Sequence, residues 1–397
     1  MKKEKKGGSR LDKSMRAPKK RAPQADAPAQ EGKKKKSRGL RRWQKVTLVV
    51  LAVVLLLVSA FLIWYKNWAK LPEVGGLPDF PAAESPRIDP DTGNTIQPNS
   101  SSRKEGYYTF LVVGRDTGGG GNTDTMMLAS YDIPNQKVSV MSIPRDTLVD
   151  ARHPGKNRKM NAVYNLGKYY AKDGDTREGI DYLKEAVGDM MGITPDFYVI
   201  VNWQAFGRLV DAIGGVDFEV PRDMYYKDPA QNLVISQPAG WRHLSGDDAM
   251  QVVRWRHDNT YSSQYRDGDL GRIRTQQALL MAIVKECLQI KNVTKISEFA
   301  EIFTEEVTTD LTLGNLVAFG EKAIFGGLSM DNVEFLTMPC QGITMNGSSY
   351  VQAKPEELLD LLNEKFSPYK SPLEMDDLSV AGYDQNRGIY ITGTKKF

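Results

Sequence analysis

The chain has 397 residues, of which 41% are hydrophobic and 26% charged, and its formal net charge is +4. This composition is typical of a folded protein with one or two domains. With three histidines, two cysteines and no Cys-x-x-Cys or His-x-x-x-His spacing, the sequence argues against a zinc or thiolate site. Residues 1–45 hold 18 of the 53 basic side chains and four of the 49 acidic ones, so a basic tail precedes an acidic body.

The first predicted element is a transmembrane helix at residues 46–65. The sequence VTLVVLAVVLLLVSAFLIWY contains twenty residues without a charge, close to the length that crosses the hydrocarbon core. The basic residues before it place the N-terminus in the cytoplasm by the positive-inside rule. A cleaved signal peptide is the competing interpretation, but the apolar run continues past Ala60 and the basic leader is long, which favours an uncleaved anchor. We therefore expect a single-pass cell-membrane protein with an extracytoplasmic body.

Two segments without periodicity flank this helix. Residues 1–45, with KKKK at 33–36, have little apolar surface to bury and are predicted to form a disordered cytoplasmic tail. Attraction to anionic lipid headgroups explains its charge better than a nucleic-acid role, so membrane lipid is an expected partner and nucleic acid is not. Residues 66–105 are rich in Pro, Gly, Ser and Asn, which predicts an extracytoplasmic linker.

From Tyr107 onward, strand-like and helical patterns alternate. Strands are predicted in YYTFLVV, TMMLASYDI and KVSVMSI, and the last two are joined by turn residues as an antiparallel pair. Further strands are expected at 196–203, 216–220 and 332–338. Helical periodicity marks residues 159–172, 176–191, 204–213, 245–256, 269–290, 295–304, 311–323 and 355–365. This order predicts one α/β domain at 106–366, with a mixed or antiparallel sheet covered by helices, and a C-terminal extension at 367–397.

A glycine-rich loop follows the first strand of the body, in VVGRDTGGGGNTDTMML. A nucleotide-binding loop would lead into a helix, whereas a strand resumes here, and neither the P-loop nor the dinucleotide motif is present. Asp116 and Asp124 remain at the two ends of the loop. Either they cap the backbone amides of an ordinary turn, or they share Mg²⁺ with phosphate oxygens.

Five arginines and no lysine occur in VVRWRHDNTYSSQYRDGDLGRIRTQQ. Arg254 and Arg256 are two residues apart and share a face only if the chain is extended there. Asp269, Arg272 and Gln276 share one face of the helix that follows. An exposed salt-bridge ladder is the alternative, but exclusive use of arginine favours bidentate recognition of phosphate. The pattern predicts a phosphate or polyphosphate site.

Six segments of the body resemble, in order, those of the LytR-CpsA-Psr family of bacterial envelope proteins. They lie between about residues 107 and 350 and read FLVVGRDTGGGGNTDTMML, VSVMSIPRDTLV, KMNAVYNLG, YVIVNWQAFGRLVDAIGGVDFEV, LSGDDAMQVVRWRHD and GDLGRIRTQQALL. The resemblance implies a phosphotransferase in a Gram-positive-type envelope. Such an enzyme moves a glycopolymer, for example teichoic acid or capsular polysaccharide, from an undecaprenyl-pyrophosphate-type lipid onto peptidoglycan and forms a phosphodiester. The lipid-linked glycan and the peptidoglycan acceptor are then its partners.

The resemblance also implies roles for individual residues. The metal-binding aspartates of the family match Asp116 and Asp124, so Mg²⁺ is the expected cofactor. The residues expected to act in catalysis are Asp116, Arg145, Asp269 and Arg272. Those expected to bind the pyrophosphate are Arg145, Lys159, Arg254, Arg256, Arg272 and Gln276. Two other functions use the same arginines: a lipid-phosphate or glycan-binding protein without turnover, and a hydrolase that releases the polymer to water.

Two features depart from the family pattern. The loop between Asp116 and Asp124 is short and made largely of glycine, and the segment NTYSSQY is inserted before Arg266. The sequence also leaves two alternatives open for Cys287 and Cys340. They either pair outside the cytoplasm or remain unpaired, because a sequence does not supply the Cα separation on which a disulfide depends.

Overall fold

The computed structural model describes residues 42–74, 87–88, 95–96, 103–115, 123–149, 158–170, 177–231, 233–289 and 296–393. Contacts within the chain divide it into two units, Met1–Phe61 and Leu62–Phe397. Helix α1, Arg42–Trp68, supplies the described part of the first unit and the first residues of the second. Over the described residues, no helix meets both the length and the apolarity that a membrane span requires.

The second unit contains both helices and strands. Its helices are α2 (Met160–Val163), α3 (Leu166–Tyr170), α4 (Gly179–Met191), α5 (Trp203–Ala212), α6 (Gly246–Arg254), α7 (Asp269–Cys287), α8 (Ile296–Glu306), α9 (Leu313–Gly326) and α10 (Pro355–Leu361). Its strands are β1 (Arg87–Ile88), β2 (Thr95–Ile96), β3 (Tyr107–Arg115), β4 (Thr123–Asp132), β5 (Lys137–Ile143), β6 (Phe197–Asn202), β7 (Val216–Val220), β8 (Met224–Asp228), β9 (Leu233–Gln237), β10 (Gly240–Leu244), β11 (Val307–Thr309), β12 (Val333–Thr337), β13 (Cys340–Met345), β14 (Ser348–Ala353), β15 (Val380–Asp384) and β16 (Gly388–Thr392).

A mixed sheet in the order β11-β6-β3-β4-β5-β12 forms the centre of this unit. Strand β4 runs antiparallel to β3 and β5, while β3 is parallel to β6 and β5 is parallel to β12. The carboxyl ends of β3, β5, β6 and β12 and the amino end of β4 therefore lie at the same edge of the sheet. The predicted α/β fold with a mixed sheet is confirmed.

Helices cover both faces of this sheet. Along β3, Leu111 and Val113 point into a core formed with α4 and α10, whereas Tyr108 and Phe110 point toward α9 and contact Phe319 edge-on. Side chains alternate between the two faces of a strand, so one strand supplies both cores. Each large side chain buried in this way stabilises the fold by roughly 1.5–3 kcal/mol.

A further hydrophobic core lies among α5, α6, α7 and two strand pairs, β7 with β10 and β8 with β9. Trp255 is fully buried in it. Helices α5 and α6 approach so closely that a Cβ atom on Gly246 would lie 2.1 Å from the carbonyl oxygen of Gly207. Helix α6 begins with a capping box in which the side chains of Ser245 and Asp248 bond to each other's backbone N–H. This core fixes the helices that carry most of the site.

The last turns of α1 and the residues that follow it pack against α9. The Tyr65 hydroxyl donates a hydrogen bond to Glu321 (2.5 Å), and the Asn315 amide donates to the carbonyl oxygen of Lys70 (2.8 Å). A Cβ atom on Gly314 would lie 2.1 Å from the carbonyl oxygen of Trp68, so this approach depends on glycine. The start of the second unit is therefore held on one helix of its body.

The C-terminal residues continue the same body. Leu373, Leu378 and Val380 belong to the core that contains Leu111. Strand β15 pairs with β16, and Ala381 packs in a smaller cluster with residues of β13 and β14. The alternatives left open for the cysteines are also resolved, because Cys287 and Cys340 are both unpaired.

Candidate active site

The predicted site residues meet at one edge of the central sheet. Asp124 is the second residue of β4, Arg145 follows β5, and Lys159 precedes α2. Arg254 ends α6, with Arg256 two residues further on, while Asp269, Arg272 and Gln276 lie in the first half of α7. Asp116 lies outside the described residues. Elements that are distant in sequence thus bring their charged side chains to the edge where four strands end.

A cavity of about 250 Å³ opens beside these residues. Five of its lining side chains, all polar or charged, were predicted from the sequence: Asp124, Arg254, Arg256, Arg272 and Gln276. The remaining lining residues were not predicted: Trp203, Tyr226, Leu233, Ile235, Val253 and His257. The cavity therefore combines several guanidinium groups with an apolar surface, which suits a ligand that is anionic at one end and apolar at the other.

Arg254 and Arg256 both reach the cavity because α6 ends between them. Trp255, the residue after the helix, has extended dihedral angles (φ −65°, ψ 136°). Alternate side chains of an extended segment point to the same side. The buried Trp255 therefore points into the core while its two neighbours line the cavity. The guanidinium carbon of Arg254 also lies 5.5 Å from the ring centroid of Trp203.

Asp124 lies between two guanidinium groups. Its Oδ1 atom accepts hydrogen bonds from Arg145 Nη1 and Arg256 Nη2, each at 3.2 Å. Its side chain is 24% exposed, so solvent and ligands reach the carboxylate. These contacts join Asp124, at the end of the glycine-rich loop, to Arg145 and Arg256, which the sequence predicts to bind phosphate.

Arg272 is buried, with only 5% of its side chain exposed, and its Nη2 atom lies 2.5 Å from Asp269 Oδ1. Burial, reinforced by Arg256 and Arg145 and opposed by Asp269, lowers the pKa of Arg272 to about 10. The pKa of Arg256 is lowered too, first by burial and then by Arg145. These guanidinium groups remain charged at neutral pH and repel one another, so an anion bound among them would relieve the repulsion.

Asp146 and Gln276 support the cluster. The Asp146 carboxylate lies 3.0 Å from Lys159 Nζ and 3.9 Å from Arg145 Nε, so it links two predicted phosphate-binding residues. Its position directly after Arg145 is the signal that could have identified it. Gln276 lines the cavity, and its amide nitrogen donates to the carbonyl oxygen of Val253 (3.0 Å), which holds α7 against α6.

The other two arginines of the sequence cluster lie elsewhere. Arg266 is exposed, and Arg274 pairs with Asp267 at 2.5 Å. Neither is among the residues that line the cavity. Arg266, which follows the inserted segment, is therefore not part of the site. Three of the five arginines of the sequence cluster remain at the site.

Asp124 fits one position of a magnesium site. No group of three or more His, Cys, Asp or Glu side chains that could hold a metal occurs in the described part of the chain. Mg²⁺ needs only one or two protein carboxylates when water and phosphate oxygens fill its other positions. The donor set at the cavity is therefore compatible with Mg²⁺ bound together with a phosphate ligand.

These features define an α/β protein with a cluster of arginines and one carboxylate beside a cavity, and comparison with known proteins identifies its family. Residues 83–367 match the model of the LytR_cpsA_psr family. The chain belongs to this family, as the sequence segments indicated.

Several relatives are similar to this chain. Regulatory protein MsrR of Staphylococcus aureus (strain COL) is 29% identical over 245 residues, which are 61% of this chain and 67% of that protein. The polyisoprenyl-teichoic acid–peptidoglycan teichoic acid transferase TagU of Oceanobacillus iheyensis is 27% identical over 329 residues, or 82% of this chain and 94% of that protein. The transferase of the same description named TagV, from Bacillus subtilis (strain 168), is 26% identical over 260 residues, or 64% and 62%.

Solved structures support the fold. The crystal structure of B. subtilis TagV superposes with a TM-score of 0.52 at 24% identity and covers 65% of this chain and 95% of that one. A LytR-Csp2A-Psr enzyme from Actinomyces oris superposes with the same TM-score at 20% identity, covering 68% and 93%. At this level of identity the likeness establishes the architecture.

Proposed function

We propose that this protein is a phosphotransferase that moves a glycopolymer from an undecaprenyl-pyrophosphate-type lipid onto peptidoglycan. The observation that carries the proposal is the convergence of Arg145, Arg256 and Arg272 around Asp124, beside a partly apolar cavity. Guanidinium groups bind pyrophosphate oxygens, and the apolar lining receives the first isoprene units of the lipid. The names of TagU and TagV, which describe transfer of teichoic acid to peptidoglycan, support the same class of reaction.

The reaction breaks one phosphoanhydride bond and forms one phosphodiester. A hydroxyl of the acceptor attacks the phosphorus that carries the sugar, the bond from that phosphorus to the bridging oxygen breaks, and polyprenyl phosphate leaves with the bonding electrons. The hydroxyl proton passes to a base. Arg145, Arg256 and Arg272 neutralise the charge on the two phosphates, and Asp269 positions Arg272. When bound by Asp124 and Asp116, Mg²⁺ would add stabilisation of the leaving phosphate.

The test uses the purified full chain in detergent. It is incubated with a polyprenyl-pyrophosphate-linked glycan, Mg²⁺ and peptidoglycan fragments, while attachment of glycan and release of polyprenyl phosphate are both followed. Attachment to peptidoglycan supports the transferase. Release of lipid phosphate without attachment assigns a hydrolase instead, and tight binding with neither product assigns a binding protein.

Arg256→Ala is expected to weaken binding of a polyprenyl pyrophosphate roughly tenfold or more, since a lost charge-assisted hydrogen bond costs about 1.5–3 kcal/mol. Arg254→Ala is expected to act in the same direction, because Arg254 lines the same cavity. Titration of each variant with the lipid measures the change. Arg274→Ala is the matched control, because it removes one arginine outside the cavity. Equal weakening in Arg274→Ala would show that overall charge, and not contact, governs binding.

We also propose that residues 46–65 anchor the chain in the cell membrane, with residues 1–45 in the cytoplasm and the body outside. The support is the uncharged apolar sequence and the basic residues that precede it. Protease added to intact protoplasts is expected to remove the body and leave an N-terminal epitope protected. Loss of the epitope while the body survives would reverse the orientation.

A further inference from the structure

The segment that precedes α7 folds into a fixed turn. It contains the inserted sequence NTYSSQY, and the proposed reaction gives it no part. The Asp258 carboxylate accepts hydrogen bonds from the backbone N–H groups of Thr260 (3.0 Å), Ser262 (2.8 Å) and Ser263 (3.0 Å), and from the Thr260 hydroxyl (3.1 Å). Consistent with these bonds, led by that of the Ser262 hydroxyl, the pKa of Asp258 is lowered to about 2. One side chain therefore organises the whole turn.

A second set of contacts attaches the turn to the wall of the cavity. Asn259 Oδ1 accepts a hydrogen bond from the backbone N–H of Lys227, and Asn259 Nδ2 donates to the carbonyl oxygen of the same residue, both at 2.8 Å. Lys227 belongs to β8 and follows Tyr226, which lines the cavity. The turn is thus held in place relative to the site.

Three aromatic rings connect the cavity with this turn. The ring of Tyr261 is stacked on that of His257, with centroids 3.9 Å apart and planes 20° apart. His257 also contacts Tyr226 edge-on, at 5.7 Å and 88°. Both His257 and Tyr226 line the cavity, whereas Tyr261 is 61% exposed. The row of rings therefore leads from the cavity to the surface.

The position of Tyr261 is costly for the fold. Its φ of 59° lies in the left-handed region, which an aromatic residue rarely adopts and which glycine adopts freely. The hydrogen bonds of Asp258 use backbone and hydroxyl groups, so they do not depend on a tyrosine at this place. An exposed ring also gains little from burial. Strained residues of this kind are concentrated where ligands are held. One face of the Tyr261 ring packs on His257, and the other face is available to a ligand.

We propose that Tyr261, supported by His257, forms the platform on which the first sugar of the lipid-linked glycan stacks. This inference rests on the proposed function and names the part of the substrate that the turn selects. In that substrate the sugar is bonded directly to the pyrophosphate. Arg256, the proposed phosphate ligand, and His257 line the same cavity, and Tyr261 stacks on His257. The sugar is therefore within reach of the platform.

The chemistry of the turn suits a sugar better than a lipid. A pyranose ring presents C–H groups on its face, which pack on an aromatic ring, and hydroxyl groups at its rim, which require polar neighbours. Thr260 and Ser262 lie on either side of Tyr261 in the sequence, and both are exposed. Their hydroxyl groups donate their protons to Asp258, so toward a sugar hydroxyl they act as hydrogen-bond acceptors. An isoprenoid chain would instead follow the apolar lining residues Leu233, Ile235 and Val253.

The test compares two ligands on the full chain in detergent: a polyprenyl pyrophosphate without sugar, and the same lipid carrying one N-acetylhexosamine. Tyr261→Gly removes the ring and suits the positive φ, so it is expected to fold at least as well as the wild type. We expect it to bind the sugar-bearing lipid about three- to tenfold more weakly and the bare lipid equally well. Tyr261→Phe keeps the ring and is expected to retain the wild-type affinities.

Phe325→Ala is the control, because Phe325 is an aromatic residue of similar exposure (70%) that does not line the cavity. Its affinities for both lipids should match the wild type. The inference is overturned if Tyr261→Gly weakens both lipids alike, or if it changes neither affinity. Wild-type protein that binds neither lipid would overturn the proposed function itself, an outcome distinct from loss of the sugar preference alone.

Discussion

Replacing Asp124 with asparagine is expected to slow glycopolymer transfer about a hundredfold or more, while binding of the lipid pyrophosphate is retained within about threefold. Asparagine keeps the size of the side chain and one oxygen that accepts a hydrogen bond from Arg145 or Arg256. It loses the charge that orients both arginines and that would hold Mg²⁺. Because stabilisation of a leaving phosphate matters most as its bond breaks, the loss falls on the rate and spares binding.

Transfer is measured as glycan attached to peptidoglycan per unit time, and binding by titration with the non-transferable bare lipid. Asp217→Asn provides the control, since Asp217 is an exposed carboxylate that pairs with His243 away from the cavity (2.8 Å). An unchanged transfer rate in Asp124→Asn would show that Asp124 only pairs with the arginines and takes no part in the reaction. Loss of binding equal to the loss of rate would mean that Asp124 shapes the ground-state site.

Asp196→Ala is expected to produce a large loss of stability, about 3–5 kcal/mol in the free energy of unfolding and roughly 10 °C in melting temperature. The Asp196 carboxylate is 6% exposed and lies 2.5 Å from Arg103 Nη2. It also accepts hydrogen bonds from the backbone N–H and the hydroxyl of Thr109, at 2.8 and 2.9 Å. Burial raises the pKa of Asp196 despite the opposing effects of Arg103 and Thr109, so desolvation outweighs the pairing. Alanine would leave a largely buried guanidinium group without its carboxylate.

Chemical denaturation of the variant measures this loss, and two further variants interpret it. The double variant Arg103→Met/Asp196→Ala has no buried guanidinium group without a partner at this position. It should therefore recover part of the stability that the single variant Asp196→Ala loses. Glu185→Ala breaks the exposed pair with Arg177 (3.1 Å) and is expected to cost less than about 1 kcal/mol. If Asp196→Ala proves no more harmful than Glu185→Ala, burial of the pair contributes little.

The arginine cluster shows how far sequence patterns determine the site. The two-residue spacing of Arg254 and Arg256 required an extended chain, and the end of α6 at Arg254 supplies it. Helical spacing likewise placed Asp269 and Arg272 together. Spacing also separates Arg274 from Arg272, since residues two apart on a helix lie on different faces. It could not place Arg266, because the position of that residue depends on the turn before α7. That turn is set by hydrogen bonds to Asp258, and a pattern of residue types does not encode them.

The fold was predictable to a similar extent. Five of the six strands of the central sheet, all except β11, and its long helices follow from periodicity, because each buries a regular face. Strands β8 and β9 were not predicted, although Met224 and Ile235 are buried. They are short, half of their other residues are exposed, and they pair with each other beyond a turn that gives no hairpin signal. The apolar lining of the cavity comes partly from this pair, so that part of the cavity escaped prediction along with it.

The two hydrogen bonds of Asp124 have a consequence for which anions enter the site. A carboxylate attached to the protein competes for Arg145 and Arg256 at a high effective concentration, and every incoming anion has to displace it. Chloride or another singly charged ion gains too little to do so, whereas a pyrophosphate brings several charged oxygens at once. The phosphodiester product carries a single negative charge at the same place. On the proposed function, these two hydrogen bonds would make the site favour a multiply charged pyrophosphate over small anions and over the singly charged product.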